Sequence, residues 1–180
     1  MEKDIISIFT DKLKEKLDGK FTLNSEVDRK GVTCIWCKLE NAAEITKAAE
    51  IVKDFNGRIM TISALIASSN EKSEHVEISY HFYFGNVNCT VSITLPGNLR
   101  EVNSITPILK SADWHEREMQ EFYKIKLIGH PNPKELFLGS SIQMGENTMI
   151  PLSAAMNGTS TSTLWERVMK SIGEEAEENE

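Results

Sequence analysis

The chain has 180 residues, 40% of them apolar, enough for one ordinary domain with a core of its own and a modest extension. Its 27 acidic against 20 basic side chains leave a formal charge of -7, which excludes a general nucleic-acid binder, since phosphate contacts need a surplus of Lys and Arg on one face. Three cysteines suit a reducing cytoplasm better than a disulfide framework, residues 1–10 lack the basic-then-apolar pattern of a secretory signal, and the longest apolar stretch, 59–67, falls far short of the roughly 20 residues that span a bilayer.

Ile5, Phe9, Leu13 and Leu17 recur every fourth residue with Lys12, Lys14, Glu15 and Lys16 between them, which predicts an amphipathic helix ended by Gly19. Residues 31–39 are β-branched and apolar over a strand-like length. A second helix is bracketed on both sides: Asn41 can cap the free amides, Glu44 can reach back to it, and Asn56 and Gly57 follow the stripe of Ile45, Ala48, Ala49, Val52 and Phe55. Residues 58–67 read as another strand. Val76, Ile78, Tyr80, Phe82 and Phe84 then alternate with polar neighbours, as do Val87, Cys89, Val91, Ile93 and Leu95, so each run turns one face inward. Gly85 and Asn86 between them tolerate the angles of a two-residue turn, which makes the pair an antiparallel hairpin. Helices on one face of a mostly antiparallel sheet give a two-layer α+β sandwich.

After Pro96 and Gly97 the pattern changes. Asp113 and Glu116 have the spacing of a helix cap and its reciprocal partner, and predict a third helix from Trp114 to about Tyr123, followed by an extended 125–128. Beyond His130 and Pro131 periodicity fades. The expected organisation is an α+β domain over 1–138 and an irregular C-terminal arm over 139–180, the arm holding a short helix around 164–172 and an acidic tail. The Met and small polar residues of 144–172 suit a second protein interface.

Cys34 and Cys37 form a Cys-x-x-Cys pair, but residues three apart on a strand point to opposite faces, and a redox pair normally sits at a helix start. Packing is the expected role; an autonomous thiol-redox or metal-binding protein is one alternative reading and a stand-alone small-ligand binder another. The four histidines, His75, His81, His115 and His130, have no spacing that gathers them on one helix, and neither a Gly-rich phosphate loop nor a nucleophile elbow is found.

The informative stretch is 111–138, SADWHEREMQEFYKIKLIGHPNPKELFL. A solvated helix face seldom needs Trp114, Phe122 and Tyr123, and Arg117 can pair with Glu121 one turn on, with Glu118 adjacent. This stretch resembles the 30-kDa, or C-type, subunit of NADH:quinone oxidoreductase (complex I) and its counterparts in membrane-bound nickel–iron hydrogenases, on Trp114, Glu116, Arg117, Glu118, Phe122, Ile125, Gly129, His130 and Pro131 in order and spacing. Departures are Glu121 in place of the usual Asp, Lys124 in place of the usual Gly, and 132–135 in place of an acidic residue, Leu and two Arg. Without that Gly the helix exit cannot rely on cheap left-handed geometry; without the two Arg, bidentate donors to a partner are lost.

The resemblance implies a subunit that catalyses nothing and binds no cofactor, in the cytoplasmic arm of a complex peripheral to the inner face of the cell membrane. Its partners would be a large catalytic subunit, with a nickel or quinone site, and a small iron–sulfur subunit. Trp114 and Phe122 would be interface anchors, Glu116, Arg117, Glu118 and Glu121 a polar cluster, and Gly129, His130 and Pro131 a fixed turn. The departures favour the energy-converting hydrogenase branch, with complex I proper as the alternative.

Overall fold

The two alternating segments form a long antiparallel pair. In this computed structural model, which describes residues 2–18, 20–68, 74–97 and 99–137, they are β4 (Glu74–Phe84) and β5 (Val87–Pro96), and Gly85 and Asn86 join them with φ of 45° and 68°. Both central φ values are positive, as a tight hairpin turn of the right twist requires. Before the hairpin come α1 (Glu2–Lys16), β1 (Phe21–Val27), β2 (Thr33–Leu39), α2 (Ile45–Asp54) and β3 (Arg58–Ser68); after it come β6 (Glu101–Asn103), α3 (Asp113–Tyr123) and β7 (Lys126–Ile128). The main sheet has the order β1-β2-β5-β4-β3, antiparallel except where β2 runs parallel to β5.

Period-two alternation places Ile78, Tyr80 and Phe82 of β4, Cys89, Val91 and Ile93 of β5, and Ile35 and Cys37 of β2 on one side, and all are buried. Phe9 and Leu13 of α1, Ala48, Ile51 and Val52 of α2, and Met119 of α3 close over that side in one continuous core. Phe9, Phe55 and Phe84 form its aromatic centre, with ring centroids 5.1 Å apart for Phe9 and Phe84 and 5.3 Å for Phe55 and Phe84. The expected mixed α+β class, with a mostly antiparallel sheet covered by helices, is thus the fold. On the opposite, open face His81 bridges three strands: one ring nitrogen lies 3.0 Å from Ser63 Oγ and the other 3.0 Å from Thr90 Oγ1.

The second helix ends as its sequence requires. Asn56 takes a φ of 53°, and Gly57 is the residue that packing demands, because a Cβ there would lie 2.5 Å from Val52 Cγ1 and 2.8 Å from the Val52 carbonyl oxygen. Its start differs in detail. Asn41 Oδ1 accepts from Ala43 N at 3.0 Å and caps a 3-10 turn over Ala42–Glu44, while the buried Glu44 accepts from Asp18 N at 2.7 Å. Two strands escape the pattern reading altogether, β1 and β6; β6 pairs in parallel with β7 as a small separate ladder. The expected arm over 139–180, its helix and its second interface lie outside the described residues.

Candidate functional site

Helix α3 presents three faces, and each does something different. The inward face carries Glu116, fully buried. Its carboxylate accepts from Ser104 Oγ at 2.5 Å, from Thr106 Oγ1 at 2.6 Å and from the backbone N–H of Ile105 at 2.7 Å. Three donors from one loop satisfy the charge at a position closed to bulk solvent, the condition for burying a carboxylate. Its field also reaches Tyr80: burial first, and the Glu116 charge second, push the phenol well above its usual range, and its hydroxyl makes no hydrogen bond among the described residues.

The expected capping box over Asp113 and Glu116 therefore does not form. Ala112 occupies the N-cap position without a side-chain bond, Asp113 is already helical, and Glu116 turns inward to Ser104, Ile105 and Thr106. The competing reason is a stronger one: three charge-assisted bonds in a dry interior outweigh one bond to a half-solvated amide.

A second face grips the chain that follows the helix. Arg117 donates from Nε to the Lys134 carbonyl at 2.7 Å and from a terminal nitrogen to the Glu135 carbonyl at 3.0 Å, and Gln120 donates to the Pro133 carbonyl at 2.9 Å. Glu121 accepts from the amides of Leu136 and Phe137, both at 3.0 Å. Residues 113, 117, 120 and 121 recur at i, i+4, i+7 and i+8, one stripe of a helix, so the 133–137 strap is held at successive peptide groups. The expected pairing of Arg117 with Glu121 is replaced. Arg117 meets Asp113 one turn back, at 3.7 Å, because Glu121 is engaged by the strap amides.

His130 closes the strap's near end and is buried. Its Nδ1 accepts from Asn132 N at 3.1 Å, which places the proton on Nε2, and Nε2 lies 3.3 Å from Asp113 Oδ1 and 3.8 Å from Glu116 Oε2. Gly129 takes a φ of 77° at an open position, so the fixed turn rests on that backbone angle and on the buried imidazole. At the helix exit Lys124 adopts the left-handed region, φ 53° and ψ 40°, without the low steric cost that Gly would bring there. The fully buried Ile125, the β6 ladder through Lys126 N to Arg100 O at 2.7 Å, and Arg100 bonded to the Tyr123 carbonyl at 3.4 Å hold it there against the steric cost.

The third face of α3 is open to solvent and carries Trp114, 65% exposed, and Glu118 one turn on. Phe122 is partly buried and stacks on Phe137 at a centroid distance of 5.9 Å. Of the nine residues singled out in the sequence, Glu116, Glu121 and His130 are buried, Arg117 and Phe122 half-buried, and Trp114, Glu118, Gly129 and Pro131 exposed. Sequence reasoning missed Ser104, Thr106 and Gln120. The i, i+3, i+4 set of Arg117, Gln120 and Glu121 was a readable signal for a polar stripe; nothing local marks Ser104 and Thr106 as ligands of a carboxylate.

Cys34 and Cys37 lie on opposite faces of β2, Cys37 buried and its thiol pushed up to about 11 by burial, so it is a packing group rather than a thiolate. Among the described residues no cluster of His, Cys, Asp or Glu could hold a metal ion, and no helix is long and apolar enough to cross a membrane.

Fold and site together define a small α+β domain in which one signature helix fixes its own trailing strap and shows a large aromatic to the outside. The family model described as the 30 Kd subunit of respiratory-chain NADH dehydrogenase matches residues 39–162, and the chain belongs to that family. It is 28% identical over 126 residues to the C/D subunit of NADH-quinone oxidoreductase from Erwinia tasmaniensis, 63% of this chain but 20% of that protein. The J subunit of NAD(P)H-quinone oxidoreductase from Synechococcus sp. (strain RCC307) is 40% identical over 52 residues, 29% of each chain. The chain thus spans less than a third of the length of these curated relatives. Two solved structures share the fold: a trypsin-resistant fragment of Nqo5 (TM-score 0.51, 15% identity, 71% of this chain and 98% of that one) and a chain of the membrane-bound sulfane sulfur reductase, an archaeal respiratory membrane complex (TM-score 0.61, 14% identity, 88% and 91%).

Proposed function

We propose that this chain is a non-catalytic assembly subunit in the cytoplasmic arm of a membrane-bound respiratory oxidoreductase related to complex I, of the energy-converting nickel–iron hydrogenase type. Family membership supports the assembly role, as do relatives named as subunits of quinone oxidoreductases and a fold neighbour from a membrane-bound respiratory complex. One observation carries the reading: Trp114 is 65% exposed on a segment whose buried carboxylates, Glu116 and Glu121, bind the chain's own backbone. A rigid platform that displays a bare indole is built for a partner's pocket, since pre-ordered aromatic anchors dominate interface energies. Trp114 and Glu118 then face a large catalytic subunit, with the small iron–sulfur subunit beside it, and iron–sulfur clusters and nickel belong to those partners.

Purification of the tagged chain from native membranes tests this. Company with a large nickel-site or quinone-site subunit and a small iron–sulfur subunit is the expected result, and recovery alone in the soluble fraction contradicts it. The second reading, complex I proper, is favoured by the names of the curated relatives. Metal analysis of the purified assembly separates the two: nickel in proportion to the large subunit supports the hydrogenase type, and its absence alongside NADH:quinone activity supports the other.

A further inference from the structure

The two edges of the main sheet are treated differently. At one edge β3 breaks register between Ile59 and Thr61 and lies against α3, both common protections for an edge strand. At the other edge β1 pairs with β2 in unbroken register from Phe21 to Val27, contains no proline and has one charged side chain, Glu26. Two backbone bonds reveal which of its groups are free. Glu40 N donates to Lys20 O, and Asp28 N donates to Val32 O, so the opposed pairs 20/40 and 28/32 are hydrogen-bonded ones. Because such pairs alternate along an antiparallel ladder, the even-numbered residues of β1 face β2. The N–H and C=O groups of Phe21, Leu23, Ser25 and Val27 point to the outer edge, where no described strand meets them. The same four side chains lie on the core side of the sheet, and Val27 there is 51% exposed, so apolar surface continues past the edge.

We propose that β1 is the docking edge for a second copy of this chain, the two β1 strands pairing antiparallel about Asn24 so that the two sheets become continuous. In that register Phe21 faces Val27 of the second copy and Leu23 faces its Ser25, which uses all four outward residues. On the open side Lys20 falls opposite Asp28 of the second copy and diagonal to its Glu26, twice by symmetry. Within residues 20–28, ahead of Arg29 and Lys30 in the turn, the strand is positive at one end and negative at the other and so complementary to its own reverse, which is what a two-fold contact needs. The edge is separate from the Trp114 face, so this inference stands or falls independently of the proposed function.

Light scattering on the full chain, from low micromolar to hundreds of micromolar, should show a concentration-dependent dimer that salt weakens. Hydrogen exchange should show amides 21, 23, 25 and 27 gaining protection only as the dimer forms, with 22, 24 and 26 protected to the same degree throughout. Lys20→Glu, a substitution at an exposed residue, should raise the dissociation constant about tenfold by placing like charges opposite each other. A monomer at every concentration, odd-numbered amides whose protection ignores concentration, or a dimer indifferent to Lys20→Glu would each overturn the proposal.

Discussion

The half of the molecule built from the main sheet and its first two helices, residues 2–18, 20–68 and 74–96, and the segment 99–137 are held together by different physics. In the first, inward faces of strands meet helical stripes, and stability comes from apolar area removed from water: Phe9, Leu13, Tyr80, Phe82 and Ile93 are fully buried. In the second, Val102, Ile105, Leu109, Met119, Ile125 and Leu127 join the same core, but a loop and a strap are in addition held to α3 by directed bonds through Glu116, Arg117, Gln120 and Glu121. Hydrophobic packing tolerates exchange of one apolar shape for a similar one. A buried carboxylate with three donors does not, because removing it strands every donor at once. The Glu-Arg-Glu signature is therefore constrained from inside the chain for two of its three residues, and only Glu118 faces outward with Trp114.

Substitutions can break that contrast in order of size. Glu116→Ala should cost about 3–5 kcal/mol in urea unfolding of the full chain, since the donors of Ser104, Ile105 and Thr106 lose their acceptor in a dry site; a loss as small as that of an exposed residue would show that water replaces the carboxylate. Gly57→Ala, in the packing-dominated half, should cost about 2–3 kcal/mol by forcing Val52 and Phe84 apart, and would be read from the same unfolding curves. Tyr80→Phe removes a buried hydroxyl that has no partner among the described residues and should gain about 1 kcal/mol. An equal loss instead would reveal that Glu116 relies on that hydroxyl. Lys124→Gly should gain about 0.5–1 kcal/mol by relieving the left-handed backbone, net of the added freedom of the unfolded chain; thermal denaturation resolves it, and a loss would mean that the Lys124 side chain contributes more than its backbone costs.

The sheet half was legible because its signals are periodic and local: every other residue of 76–84 and 87–95 is apolar, and Asn56 and Gly57 end a helix by geometry that only a few residues tolerate. β1 was not, because Ser25 interrupts the apolar alternation of Phe21, Leu23 and Val27 and most of the strand is exposed. β6 has three residues, too few for a period. The signature helix was placed correctly, yet its interior role was misread. An acid three residues after Asp113 fits a capping box and an inward clamp equally well, and the choice rests on where Ser104 and Thr106 arrive in space. The left-handed Lys124 was missed for a related reason: tertiary contacts of Ile125 and Arg100 override local preference. Arg117 and Glu121 were legible as members of a polar cluster, and only the strap's path tells that, together with Gln120, they hold the chain itself.

Trp114→Ala gives the most direct test of the central claim, that the segment is rigid within and displays its indole to a partner. Retention of the tagged variant in complexes purified from native membranes should fall more than tenfold, as expected for a central aromatic anchor, while the unfolding midpoint of the isolated chain stays at the wild-type value. Undiminished retention, or a loss of stability that accounts for the drop, would contradict it.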